Sequence, residues 1–358
     1  MKDLRWIVVF ALVVGLLPVV SHSGVFLNWL MMALFATLLS QAWNVLGGYA
    51  GQFSFGHAVF FGTGAYAQAL LQLSAGVNPW VALVGAVLIS ASLGAGLAAV
   101  SFRYGLKGSY FALVTLAFAE VFRILALSAN FTGGGVGLML PLSESLGNMQ
   151  FASRAGYIWL ILAWVVLALL VTAFLRQSRF GAYAQAVRDN EDAATALGVN
   201  PFAIKCWATV LSAALMGAGG AFYVQVFQYI DPNLVYGSHT SVAALVGAIV
   251  GGMGTLWGPV VGAMALELLA ELTRNLFGEL PGINLMVYGA LLILIMVFLP
   301  RGLVGLKDRW QGQKKSQRRL LSAPHTEMAP LGLVPRASPP MTASGEMTPQ
   351  GQGHSDVA

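Results

Sequence analysis

The sequence predicts an all-α polytopic membrane protein of about ten transmembrane or half-membrane helices, and three observations carry that prediction. Only 9% of the 358 residues are charged, against roughly 25% in a water-soluble domain. Hydrophobic residues make up 57% and the mean hydropathy is +0.74. The apolar runs repeatedly reach about 20 residues, the length of helix that crosses a ~30 Å hydrocarbon layer. They come as unbroken blocks, not as the ~10-residue alternating segments of a membrane barrel.

In chain order the expected spans are 6–22, 25–46, 54–73, 79–101, 109–128, 154–175, 204–228, 238–252, 257–274 and 284–300. The first follows Lys2 and Arg5 and lacks a small-residue cleavage site, so it reads as a retained span, not a secretory signal. The third, and the pair 238–252 and 257–274, are interrupted or flanked by glycines and are expected to be bent or partial crossings. Residues 1–305 form the membrane domain. The stretch 306–358 is rich in Pro, Ser, Gly, Gln and Thr, has no apolar stripe, and reads as a disordered cytoplasmic tail.

Basic residues near the span ends set the orientation. Lys2 and Arg5 place the N-terminus in the cytoplasm. Arg103 and Lys107 then fall inside after four crossings, and Arg176, Arg179 and Arg188 after six. Eight of the 19 lysines and arginines lie between Arg301 and Arg336, inside after ten. The positive-inside rule accounts for that cluster, so no nucleic-acid partner is expected. Membrane lipid is the surrounding phase. Cys206 is the single cysteine, which excludes an internal disulfide and a thiolate metal cluster.

The connection 176–205, RQSRFGAYAQAVRDNEDAATALGVNPFAIK, is unlike a spacer. Its alanines predict a helix over 181–197, ended by Gly198 and held off by Pro201. Ala193, Ala196 and Leu197 share one face of that helix, a small apolar knob with charged flanks. Such a knob fits either an amphipathic helix on lipid or a docking element for the groove of a partner; small residues favour the second.

Within the spans, Gln52, Ser54 and His57 sit among glycines and aromatics, either lining a polar path or making interhelical hydrogen bonds. His57 has no neighbouring carboxylate or thiol set to make a metal site. Glu120 lies three residues before Arg123 inside a span, where a charge costs at least ~2.5 kcal/mol and therefore faces protein or water. That placement fits a structural pair or a path-lining pair. Gly251, Gly252 and Gly254 belong to a run that unwinds a helix at membrane depth. The GAYA segment at 64–67 is echoed by GAMA at 262–265, each followed by a Leu-Leu pair, a pattern that fits a remote internal repeat. No clustered acid–base or nucleophile spacing appears, so catalytic, cofactor-binding and metal residues are expected to be none.

Asp192-Ala193-Ala194 and Gly198 resemble the coupling motif of ABC-importer permeases, with Asp192 in place of the usual Glu and Glu191 before it. GYAGQFSFGHAVFFGTGAYAQALL at 48–71, GSYFALVTLAFAEVFRIL at 108–125, FTGGGVGL at 131–138 and AALVGAIVGGMGTLWGPVVGA at 243–263 resemble the LivM-type permeases of high-affinity branched-chain amino acid ABC importers. The resemblance covers residues 25–305. It implies a permease that imports leucine, isoleucine or valine, paired with a LivH-like second permease, two cytoplasmic ABC ATPase subunits and a periplasmic amino-acid-binding protein. It also makes the 176–205 connection a cytoplasmic coupling helix, with Arg188, Glu191, Asp192, Ala193, Ala194, Leu197 and Gly198 meeting the ATPase. No Gly-x-x-x-x-Gly-Lys-Ser/Thr phosphate loop occurs in the chain, so ATP and Mg2+ are expected in the partner ATPases. The inner membrane is the implied location. The alternatives are an ABC permease for other amino acids, urea or short amides, and, in a different class, an ATP-independent channel or secondary transporter.

Overall fold

A computed structural model describes residues 2–21 and 23–277, together with 286, 289–290, 293 and 302–304. Among these, twelve α-helices follow in order: α1 (Lys2–Val20), α2 (Gly24–Asn44), α3 (His57–Leu73), α4 (Pro79–Arg103), α5 (Gly108–Ser128), α6 (Arg154–Gln177), α7 (Arg179–Asp189), α8 (Glu191–Ala196), α9 (Pro201–Phe227), α10 (Pro232–Val235), α11 (Ser238–Gly251) and α12 (Gly258–Phe277). Two-residue strands β1 (Leu138–Met139) and β2 (Tyr229–Ile230) pair antiparallel in the connections.

Helix starts follow local chemistry. Asn78 and Asn200 cap α4 and α9 by accepting from the Trp80 and Ala203 amides, each with a proline at the next position, where a missing N–H costs nothing. Asp231 and Pro232 repeat the device at α10.

Seven segments are long and apolar enough to cross a membrane: Asp3–Val20, Gly24–Tyr49, Pro79–Arg103, Gly108–Ser128, Arg154–Gln177, Pro201–Phe227 and Pro232–Gly251. The chain is thus a polytopic helical membrane protein; seven of the ten expected transmembrane or half-membrane segments are full-length spans, and the tenth lies largely outside the described residues. The third expected span is the 17-residue α3, about 26 Å long and short of a full crossing. It is preceded by a π-helical turn at Val45–Tyr49 and irregular backbone through Gly56. The ninth, α12, carries Glu267, Glu271 and Arg274. The tenth span at 284–300, a few isolated residues apart, and the tail at 306–358 lie outside the described residues.

Two packed groups form the bundle. Helices α3, α4 and α9 pack closely together, while α2 packs on α6, α11 and α12, and α1 covers α6. Small residues permit this. A Cβ on Gly64 would overlap the Gly217 carbonyl, and one on Gly220 would overlap that of Phe61, so α3 and α9 meet backbone to backbone. The segments 238–252 and 257–274 make an antiparallel hairpin in which Gly251 opposes Gly258 and Gly247 opposes Gly262. The 64–67 and 262–265 echo therefore falls in α3 and α12, the two helices that directly follow a glycine-rich break.

Candidate functional site

Three polar constellations interrupt the apolar bundle. The first lies where the chain breaks between α2 and α3. His57, fully buried, opens α3 with Nε2 2.8 Å from Ser212 Oγ on α9 and Nδ1 3.1 Å from Ser54 Oγ. Ser212 donates its own proton to Ala42 O at 2.7 Å, so His57 Nε2 carries the hydrogen and Nδ1 accepts from Ser54. The Trp43 indole N–H donates to Ser54 O at 2.9 Å. Gln52, also buried, donates to Ala50 O. His57 and Ser212 bond α3 to α9, while the Gln52 bond to Ala50 stays within the break.

Beside it lies the second break. Asn44, the last residue of α2, donates from Nδ2 to Thr255 O at 3.0 Å and accepts the Gly254 amide on Oδ1 at 2.7 Å. Gly254 is left-handed at φ +74, a conformation glycine adopts without a Cβ penalty. Gly251 is pressed against the Gly258 carbonyl. One asparagine thus ties the loop between α11 and α12 to the end of α2.

The 176–205 connection forms the second constellation. The expected single helix over 181–197 is instead two, α7 and α8, separated at Asn190, whose backbone is extended at φ −159, ψ 108. The physical reason is the Asn190 side chain, which accepts the Ala193 amide at 2.9 Å and starts a new helix in place of continuing the old one. Gly198 ends α8 with φ +84, as its position predicts.

Ala193, Ala196 and Leu197 are solvent-exposed, Leu197 by 85%, and Asp192 stands beside them with its side chain 96% exposed. Ala194 is buried against the bundle with Ala184 and Val187, so it is not part of the exposed knob. Glu191 also turns inward. Its Oε2 lies 2.7 Å from Lys205 Nζ and 3.4 Å from Lys107 Nζ. Lys205 is 3% exposed along its side chain, with its ammonium 5.4 Å from the Phe102 ring centre. Burial alone would push the Glu191 carboxyl up; the Lys205 hydrogen bond and the charges of Lys205 and Lys107 outweigh it and hold the group below the ordinary carboxylate range. Arg188 reaches inward with Nη1, which donates to Gly48 O at 3.0 Å, although its side chain stays 35% exposed.

The third constellation is on α5. Glu120 accepts from Arg123 Nε at 3.0 Å, and Arg123 also donates to Asn233 on α10. Glu120 is the thirteenth residue of the 21-residue α5, about 18 Å along a helix rising 1.5 Å per residue. Its side chain is 55% exposed. No group of three His, Cys, Asp or Glu that could hold a metal occurs among the described residues.

The sequence reading did not single out Asn44, Lys205, Ser212 or Asn233. Asn44 and Lys205 carry a signal, since a lone polar or basic residue inside an apolar run needs a partner. Ser212 and Asn233 carry none until their neighbours are known.

A multi-pass helical bundle broken twice by glycine-rich backbone, with a two-helix segment displayed at one end, defines the class: a polytopic helical membrane protein. Residues 25–296 match the family described as the branched-chain amino acid transport system permease component, and the chain belongs to that family. It is 30% identical over 298 residues to the high-affinity branched-chain amino acid transport system permease protein LivM of Salmonella typhimurium, an alignment covering 76% of this chain and 68% of that protein. It is 25% identical over 289 residues to the LivH permease of Escherichia coli, covering 75% and 90%. A shorter likeness, 32% over 125 residues and 34% of this chain, is to the nucleoside ABC transporter permease NupC of Lactococcus lactis. No solved structure matches the chain.

Proposed function

We propose that the chain is one of two permeases of an ATP-driven importer of leucine, isoleucine and valine, partnered by a LivH-like permease, two ATPases that bind ATP and Mg2+, and a periplasmic binding protein. Residues 1–305 are its permease unit and 176–205 its coupling segment, with both termini in the cytoplasm. The observation that carries this reading is the α7–α8 segment. A bundle with almost no charge holds out an apolar surface of Ala193, Ala196 and Leu197, flanked by Asp192 and fixed from behind by Glu191 and Lys205. Lipid contact would favour large apolar side chains on that surface; two alanines and one leucine fit a protein groove.

The path runs along the α5 face that bears Glu120 and Arg123. Glu120 is half exposed and Arg123 partly so within a span, where hydrocarbon makes such charge costly. Water or the second permease covers them in the assembled importer.

Uptake by proteoliposomes holding this chain, the second permease, the ATPases and a panel of binding proteins tests the reading. ATP-dependent uptake of branched-chain amino acids is expected, in preference to other amino acids, urea or short amides. Uptake without ATP would overturn it. Leu197→Glu is expected to abolish ATPase association while leaving membrane insertion intact.

A further inference from the structure

Arg188 stands at the end of α7, two residues before the Asn190 break that opens the exposed segment. Its side chain leaves that surface. Nη1 donates to Gly48 O at 3.0 Å, while Nε and Nη2 reach Asp189 Oδ1 at 3.0 and 2.9 Å. The Gly48 carbonyl lies in the π-helical turn at the end of α2, where helix geometry leaves carbonyls without an amide partner. A guanidinium there supplies the missing donor and a positive charge at the negative end of the helix.

Two glycines make room for it. Gly51, at φ +69, has the Arg188 Cγ against it, so that a Cβ there would overlap the side chain. At Gly254, a Cβ would lie 3.1 Å from Arg188 Nη1. The same guanidinium thus bonds the break after α2 and lies beside the one between α11 and α12. Asn44 bonds those two breaks to each other through Thr255 O and the Gly254 amide. Asp189 holds the fork in plane without reaching either break.

We propose that Arg188 is a positioning residue that transmits displacement of the α7–α8 segment to both breaks at once, through Gly48 O and then Asn44. Arg188 then acts less as part of the surface the ATPase grips than as the tie from that surface to the backbone that must rearrange. The proposal rests on the reading that α7–α8 docks an ATPase, and it goes beyond that reading in separating docking from transmission. Lysine cannot replace the residue, because a single ammonium cannot hold Gly48 O and Asp189 together with the geometry of a guanidinium fork.

The test is made on the complete importer in proteoliposomes with Arg188→Gln, Arg188→Lys and Leu197→Glu. Three quantities are measured: ATPase retained on the affinity-purified permease pair, ATP hydrolysed, and amino acid taken up per ATP. Arg188→Gln is expected to retain ATPase within twofold of wild type while uptake per ATP falls by about tenfold, the factor that ~1.4 kcal/mol of coupling supplies. Arg188→Lys, which keeps the charge if Gln fails to assemble, is expected to lose uptake per ATP in the same direction. Wild-type uptake per ATP in either assembled variant overturns the proposal, as does loss of ATPase association in both. Leu197→Glu separates the two readings. If it leaves association intact, the docking assignment itself fails, whatever Arg188 does.

Discussion

Glu191 and Lys205 offer a test of how the displayed segment is fastened, because the two partners are unequally buried. The Lys205 side chain is 3% exposed and that of Glu191 is 24% exposed. Glu191→Gln leaves the buried ammonium an amide oxygen and an aromatic ring but no counter-charge, and Lys107, which approached the same carboxylate oxygen to 3.4 Å, now repels it. Breaking a buried pair from that side costs about 3–5 kcal/mol. Lys205→Met removes the charge that is expensive to bury and leaves Glu191 near the surface with Lys107, so its cost is about 1 kcal/mol. The double variant recovers most of the loss.

Thermal unfolding in nanodiscs, followed by tryptophan fluorescence, is expected to rank wild type first, Lys205→Met and the double variant close behind, and Glu191→Gln well below. A Glu191→Gln protein as stable as wild type would refute the reasoning. The pH dependence has a fixed sign. The folded-state Glu191 carboxyl lies below its ordinary value of 4.5, so the stability it gives is present above that value and is lost as pH falls through the lower, folded one. That loss is expected in wild type and absent in the double variant.

Gly64→Leu drives a side chain into the Gly217 carbonyl; overpacking of this kind costs about 1–3 kcal/mol or more, and a lower melting temperature with weaker recovery from membranes is expected. Ser212→Ala takes away both the acceptor of His57 Nε2 and the donor to Ala42 O, leaving buried groups unpaired at about 1–3 kcal/mol, measured by the same melts. Asn190→Ala removes the cap of α8, worth about 1 kcal/mol. Amide exchange over 190–197 is expected to rise, and ATPase retention to fall, with little change in global melting.

Much of the fold is legible in the sequence because hydrocarbon is an unforgiving solvent. The apolar blocks that become α2, α4, α5, α6 and α9 need nothing beyond length and composition, and Asn200-Pro201 marks its helix start by local chemistry alone. The glycine run at 247–262 announces a break, and the hairpin of α11 and α12 follows from it. What stays hidden is decided by contacts distant in the chain. The direction in which Arg188 points depends on Gly48, 140 residues away, and no local pattern distinguishes an arginine facing a partner from one filling an orphan carbonyl. The split at Asn190 is a near thing locally, since asparagine inside an alanine-rich helix can point to solvent or cap. Ala194 pays the same tertiary debt: it shares a motif with Ala193 yet packs inward, because a six-residue helix pressed on a bundle must bury one side.

Charge placement adds a last step. Among the described residues there are seven ion pairs, and five of them, Lys107–Glu191, Lys107–Asp192, Lys205–Glu191, Arg188–Asp189 and Arg176–Asp3, involve residues of the α7–α8 end of the bundle. Three of the five tie the segment itself, through Glu191 and Asp192, to Lys107 in the α4–α5 turn and Lys205 near the start of α9; Arg188–Asp189 lies within α7, and Arg176–Asp3 joins the end of α6 to the start of α1. A displacement of the segment is therefore shared among several helices from the outset, while its exposed apolar surface takes no part in the pairing. On the proposed docking reading, recognition there would rest on shape and small side chains, and the pairs would carry the displacement inward. Glu120–Arg123 follows the opposite logic. It pairs within one helix and reaches Asn233 of α10, yet remains uncovered at a depth where charge needs water or protein. A face that satisfies its own charges but not their solvation is incomplete in the single subunit; in the proposed importer, a second permease or a wet path between the two completes it.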